Sequence, residues 1–312
     1  MRSILFLLNL IVFFIFHALF EIGILQKLLG YLDWEHYHLV ISGKREGVLG
    51  FELILVNINS IFGDYSKYFY YFLTYINCYF LTKLQVYVIR RTGFIGLFFA
   101  FNPFMYLIIA GIYKESFFFL IFTIIFHAIL KSRFITTPLN FLSFLVLFIR
   151  PHIYGVFIKL NFKSYFTQFF LLIASIFIIN ALGLLDFALL SASVDELSEN
   201  RQNDLPTVFV DSFLYLHLLA YNFLVYLFYF LFANSIMIKF FGLLHFIFIA
   251  YYFLTINKKN FIFFITFILL YNFYYLLFVS NAGIAFRMIT FSTLLYMMYE
   301  YIFFNLSISK KR

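Results

Sequence analysis

Arg150, Pro151 and His152 follow one another near the middle of an apolar run spanning residues 139–160. An arginine at the centre of a membrane helix costs roughly 2.5–3.5 kcal/mol on insertion scales, and ionisable groups kept there usually line a cavity or a substrate path. Snorkelling to the interface suits helix ends and not this central position. The adjacent proline removes a helix hydrogen bond and crowds the preceding turn. A guanidinium presents a planar fork that donates two parallel hydrogen bonds, which suits phosphate or pyrophosphate. His152 is a candidate acid or base near neutral pH, or a structural donor.

Three further groups have chemistry within reach. Lys114-Glu115 follows Gly111-Ile112-Tyr113 and opens an apolar helix. An anion there would meet free backbone N–H groups and a cation, while Glu115 is a candidate base. Arg287 follows Asn281-x-Gly283-x-Ala285, and a nearby glycine lets the backbone approach a ligand closely. Asp33, Glu35, His36 and His38 form a cluster beside Trp34 and Tyr37. They suit activation of a sugar hydroxyl or ligation of a divalent cation. The simpler alternatives are a charged turn for Lys114-Glu115, a helix-end cation for Arg287 and a solvated interfacial loop for Asp33–His38.

These groups sit in a chain of 312 residues, 64% hydrophobic and only 12% charged, where soluble domains are about a quarter charged. Near-continuous apolar runs of about twenty residues recur, which predicts membrane-spanning helices. A transmembrane barrel would instead alternate apolar and polar residues. The expected fold is all-α: one polytopic integral membrane domain over residues 1–312, with about ten spanning helices (nine to eleven) and short loops. The 52 Phe and 25 Tyr reflect in part a codon bias toward A and T, so few of them carry individual meaning at this level.

Net charge is +8, yet the Lys and Arg residues cluster at helix ends as orientation signals and form no basic domain. No nucleic-acid partner is expected. The single cysteine, Cys78, excludes an internal disulfide and any multi-cysteine metal site. The run over residues 4–25 is too long for a signal-peptide core and is read as a retained first helix.

Further helices are expected over residues 66–89, 93–113, 116–130, from 137 onward, and over 165–190, 212–232, 236–256, 261–279 and 288–305. Asn102-Pro103 should kink the third of these ten helices. Residues 26–65 form an outward loop holding an interfacial or re-entrant helix over 48–62, and 191–211 form an acidic loop. With ten crossings, Arg2, Arg90-Arg91, Lys131, Arg133, Lys258-Lys259 and the terminal Lys310-Lys311-Arg312 all face the cytoplasm. The N-terminus is then cytoplasmic, and Asp33–His38, Lys114-Glu115 and Arg287 face outward. A competing topology crosses once more at Pro151.

Taken in order, Asn102-Pro103, Gly111-x-x-Lys114-Glu115-Ser116, Arg150-Pro151-His152 and Asn281-x-Gly283-x-Ala285-x-Arg287 give a recognisable series. It resembles the Wzy-type repeat-unit polymerases of bacterial O-antigen and capsule clusters, over much of residues 100–290. This chain is shorter than the larger members and lacks their long outward loops with repeated arginine motifs. The resemblance implies transfer of a glycan between undecaprenyl-pyrophosphate carriers at the outer face of the inner membrane, without metal, nucleotide sugar or other cofactor. It implies carrier-linked oligosaccharide, membrane lipids and a chain-length regulator protein as partners. It assigns pyrophosphate binding to Arg150 and Arg287, with Lys114 and Asn281 beside them in the same motifs. Glu115, His152, Glu35 and Asp33 remain the candidate bases, with Glu115 and His152 ahead because they flank the expected cavity.

Two other classes fit parts of the pattern. A C-type glycosyltransferase would use a polyprenyl-phosphate sugar, with Asp33 or Glu35 as base and often a metal. A lipid-linked oligosaccharide flippase or other transporter would do no chemistry. Many transporters carry inverted repeats, and this sequence shows none.

Overall fold

The computed structural model describes residues 2–22, 51–103, 105–106, 114–132, 205–207, 216–272 and 282–309. Most of these residues are helical, with no strand among them. The helices are α1 (Arg2–Glu21), α2 (Phe51–Phe62), α3 (Ser66–Thr92), α4 (Gly96–Ala100), α5 (Lys114–Ser132), α6 (Leu216–Leu227), α7 (Tyr229–Phe232), α8 (Ile236–Tyr251), α9 (Phe261–Asn272) and α10 (Ala282–Ser309). Three stretches are long and apolar enough to cross a membrane: Arg2–Leu19, Ile236–Ile256 and Ala282–Phe304. At 27 residues, α3 is also long enough, at roughly 40 Å. It carries too many polar residues to qualify by composition.

The chain divides into two compact units. The first comprises Met1–Pro151, Leu254–Ile256 and Thr293–Arg312; the second comprises His152–Phe253 and Asn257–Ser292.

In the first unit α3 is the central element. Gly63, at φ +53°, and Gly93, at φ +63°, bracket it in a conformation that costs glycine little. The N–H of Gly93 bonds the Ile89 carbonyl, and Arg90 and Arg91 in the last turn complement the negative end of the helix dipole. Leu73, Leu81, Leu84 and Val88 bury an apolar side of α3, with Leu5 and Phe13 of α1 and Phe118, Phe119 and Phe122 of α5 also in the core. Toward its C-terminus Tyr87 meets Tyr301 of α10 edge-on, with ring centroids 5.5 Å apart.

Where a kink is expected at Asn102-Pro103, the helix is interrupted outright. The helix stops at Ala100, and helical residues resume at Pro103. Proline cannot donate, so the carbonyls before it need other partners. The Phe99 carbonyl accepts the N–H of Asn102 at 3.3 Å. The Ala100 carbonyl accepts the side-chain amide of Gln85 at 2.6 Å.

The second unit is packed largely through rings. Tyr229 stacks on Phe286 at 5.3 Å, and Phe253 stacks on Phe264 at 4.2 Å. Gly242 lets α8 approach α7 closely: a Cβ there would lie 2.8 Å from Phe230 Cβ and 2.9 Å from the Tyr229 ring. Tyr226 donates its hydroxyl to Asn272 Oδ1 at 3.3 Å, and Asn272 donates to the Ile268 carbonyl at 2.8 Å.

Several boundaries differ from the sequence expectation. The helix expected over 116–130 begins at Lys114, so the charged pair is its first turn and not a turn before it. The last helix begins at Ala282 and not at 288, which places Arg287 inside the helix. Ala, Ile and Phe around Gly283 propagate a helix readily, and one glycine in the first turn costs little. The helix expected over 212–232 is described as two pieces separated at Phe228. The helix expected over 48–62 appears as α2, and the helix expected over 236–256 matches Ile236–Ile256, closing with a π turn in which Asn257 N–H bonds the Tyr252 carbonyl at 2.9 Å.

Candidate functional site

Glu115 is 1% exposed and Ser116 fully buried in the first turn of α5. An acidic side chain there complements the positive end of the helix dipole. What positions that turn is α3. Asn77 donates its side-chain amide to the Ser116 carbonyl at 2.9 Å, a buried bond across 39 residues of sequence. Phe117, the next residue of α5, packs against Phe69 at 6.2 Å and edge-on against Tyr70 at 6.3 Å. The start of α5 is thus seated on residues 69–77 of α3.

This part of α3 carries a polar seam. Ser66, Tyr70, Thr74 and Asn77 recur at three- and four-residue spacing and are all buried, as is Gln85 two turns further along. The hydroxyls of Tyr70 and Thr74 and the Oδ1 of Asn77 are buried without a hydrogen-bond partner. Such groups cost about 1–3 kcal/mol each when left unsatisfied.

Further along, the seam closes into a satisfied network. Asn9 of α1 donates to Thr82 Oγ1 at 2.8 Å and to Gln85 Oε1 at 2.7 Å. Tyr106 donates its hydroxyl to Asn9 Oδ1 at 2.8 Å, and Gln85 donates to the Tyr106 oxygen at 3.1 Å. Because Gln85 also bonds the Ala100 carbonyl, this network fixes the broken helix to α1 and α3.

A cleft of about 330 Å³ opens between α1 and α3. Leu10, Phe13, Phe14 and His17 line it from α1. Tyr71, Phe72, Thr74 and Tyr75 line it from α3. Thr74 is the seam residue that reaches the cleft. His17 meets Tyr71 edge-on at 5.5 Å.

Of the residues singled out from sequence, Lys114 and Glu115 fall together at the start of α5 in the first unit. Arg287 lies half-buried in the second turn of α10, in the second unit. Asp33, Glu35, Arg150, His152 and Asn281 lie outside the described residues, as do His36, His38 and the acidic loop over 191–211 apart from residues 205–207. Among the described residues no group of three or more His, Cys, Asp or Glu side chains could hold a metal ion. The Cys78 thiol is buried, its sulfur 4.0 Å from the Phe6 carbonyl.

Sequence reasoning missed Asn77, Thr74, His17 and the Asn9–Gln85–Tyr106 network. The signal available was the spacing of polar residues along 66–85, which marks one face of a helix that is otherwise apolar and aromatic. Comparison with protein-family models, with characterised proteins and with solved structures finds no match for this chain.

Proposed function

We propose that this chain is a multi-spanning glycosyltransferase of the bacterial inner membrane, with about ten crossings and a cytoplasmic N-terminus. It joins undecaprenyl-pyrophosphate-linked oligosaccharide repeat units into surface polysaccharide at the outer face, in the manner of the Wzy-type polymerases it resembles. The observation that carries the reading is Glu115: a carboxylate 1% exposed, in the first turn of α5, on a helix start held by Asn77. A carboxylate held this far from water is kept by partners that fix where it points, which is what a general base needs.

In this reading Glu115 is the general base. It takes the proton of the acceptor sugar hydroxyl as that oxygen bonds the anomeric carbon of the donor. The bond from the anomeric carbon to the carrier pyrophosphate breaks, and its electron pair leaves on the pyrophosphate. Negative charge grows on that leaving group, and cations fixed in a low-dielectric surrounding stabilise it. Lys114 adjoins the base in sequence, and the resemblance gives arginines, Arg150 and Arg287, the same role. The released undecaprenyl pyrophosphate balances the reaction without metal or nucleotide.

Surface-glycan electrophoresis of a host strain lacking this chain tests the reading. A strain that exports single repeat units, and regains a ladder when the chain is restored, supports it. Repeat units retained at the inner face would mark a flippase. Activity lost with Asp33 and Glu35 substitutions or with metal removal, but kept in Glu115→Gln, would mark a C-type transferase.

A further inference from the structure

Lys83 places a cation on α3 roughly 13 Å short of the helix end at Thr92. A crossing helix of about 40 Å leaves about 5 Å at each end among lipid head groups, so the Lys83 backbone lies roughly 8 Å inside the hydrocarbon. Among the described residues no hydrogen bond or ion pair holds its ammonium. The nitrogen lies over the face of Tyr79, 4.0 Å from the ring centroid. A snorkelling lysine would point toward Thr92 and the nearer head groups. This one points a turn the other way, where an ammonium without a counter-charge is costly. The ring offsets part of that cost but supplies no net negative charge.

The same face repeats the pattern. Tyr79, Lys83, Tyr87 and Arg91 stand four residues apart and line one side of the helix. The Arg91 guanidinium donates to the Tyr87 hydroxyl, and its Cζ lies 5.7 Å from the centroid of that ring. Tyr87 is therefore one turn from a cation on either side. It also meets α10, edge-on at Tyr301 and 5.8 Å from the Phe304 ring. Phe303 and Phe304 are exposed there. α3 carries Lys67, Lys83, Arg90 and Arg91 and no acidic residue. Glu300, the acidic residue of α10, is buried and accepts the Tyr296 hydroxyl at 3.0 Å. One carboxylate against Lys83, Arg90 and Arg91 leaves positive charge in excess.

An occupant of this face must bring negative charge to the turn of Tyr87 and apolar length to lie beside Phe303 and Phe304. A free phosphate ion brings the first alone, and an uncharged acyl chain brings the second alone. An anionic phospholipid brings both. Basic pockets between membrane helices bind such head groups. The four-carbon stem of Lys83 is flexible, and Tyr87 is one turn away, so the ammonium can swing from Tyr79 to a phosphate held by Arg91.

We infer that the face Tyr79–Lys83–Tyr87–Arg91, with the exposed end of α10 beside it, is a binding site for an anionic glycerophospholipid. The phosphate sits between Lys83 and Arg91, and the acyl chains run along Phe303 and Phe304. The site stands independently of the polymerase reading. In the orientation proposed above, Arg90 and Arg91 end α3 on the cytoplasmic side, opposite the face where carrier pyrophosphate is released, which favours a phospholipid of the inner leaflet over a polyprenyl carrier.

The test titrates phosphatidylglycerol into the full chain in a neutral detergent, beside phosphatidylcholine with the same acyl chains, and reads binding by native mass spectrometry. Phosphatidylglycerol should bind about tenfold tighter or more. Lys83→Met should lose about tenfold of that affinity, the loss expected for one hydrogen bond to a charged group. Lys83→Arg should keep it, and Lys258→Met, at an exposed lysine of the other unit, should leave it unchanged. In the unsubstituted chain, phosphatidylglycerol should shield Lys83 from amine acetylation and phosphatidylcholine should not, which tests the site without any variant. Equal affinity for the two lipids, wild-type affinity in Lys83→Met, or an unshielded Lys83 overturns the inference. Undecaprenyl phosphate that displaces phosphatidylglycerol at lower concentration also overturns it, and marks a carrier site instead.

Discussion

Asn77 on α3 donates its side-chain amide to the carbonyl of Ser116, 2.9 Å away, and by that bond the buried Glu115 is fixed to the polar seam of α3. The bond joins residues of two helices that lie 39 positions apart in sequence. It makes the position of the candidate base depend on a residue with no charge and no chemistry of its own.

Asn77→Ala leaves the Ser116 carbonyl without that donor in a buried site. The expected loss is about 1–3 kcal/mol of stability, seen as a lower Tm in detergent. Transfer activity should fall as well, because the first turn of α5 loses its anchor. Unchanged Tm and activity would show that the helix start is held by other contacts.

The Asn9–Gln85–Tyr106 network should behave as a unit. Asn9→Leu and Gln85→Leu each strand partners of the other, so the double substitution should cost less than the sum of the single ones. A coupling of about 0.5–3 kcal/mol is expected in a double-mutant cycle by thermal unfolding. Strict additivity would contradict the shared network.

Gly242→Ala places a methyl against Phe230 Cβ and the Tyr229 ring, where the gap is under 3 Å. Overpacking of this kind costs about 1–3 kcal/mol. Adding Tyr229→Leu to the same chain should recover part of that loss by opening space on the facing helix. Equal Tm for Gly242→Ala and wild type would show that α7 and α8 are not packed as described.

Orientation is open to labelling. The one native thiol, Cys78, is buried and should resist a membrane-impermeant maleimide. Tyr65 and Lys258 are both exposed. Tyr65→Cys should be labelled on intact spheroplasts, and Lys258→Cys only after permeabilisation. The reverse pattern would invert the topology and move Glu115 to the cytoplasmic side.

The helical character of the chain was legible from its apolar runs, and the break at Asn102-Pro103 followed from proline's missing N–H. Glu115 stood out because a carboxylate in such a run is conspicuous by type. Asn77, Thr74 and the exposed tyrosines of α3 did not stand out. Polar uncharged residues are common in any helix, and in a chain that is 25% aromatic no single tyrosine draws notice. Their meaning lies in which side of α3 they occupy: Asn77 and Thr74 turn inward, while Tyr71 and Tyr75 turn outward. Spacing narrows that choice, but packing against α1 and α5 decides it. The start of α10 was misplaced because Asn281 and Gly283 look like a loop, whereas the residues after them favour a helix that takes in Arg287.

The most direct measurement is in vitro transfer by the purified chain, given undecaprenyl-pyrophosphate-linked repeat units with and without EDTA. The account predicts doubled repeat units together with free undecaprenyl pyrophosphate, no effect of EDTA, and a loss of about a hundredfold to ten-thousandfold in Glu115→Gln, the range for removing a general base. Full activity in Glu115→Gln, or activity that vanishes with EDTA, would contradict it.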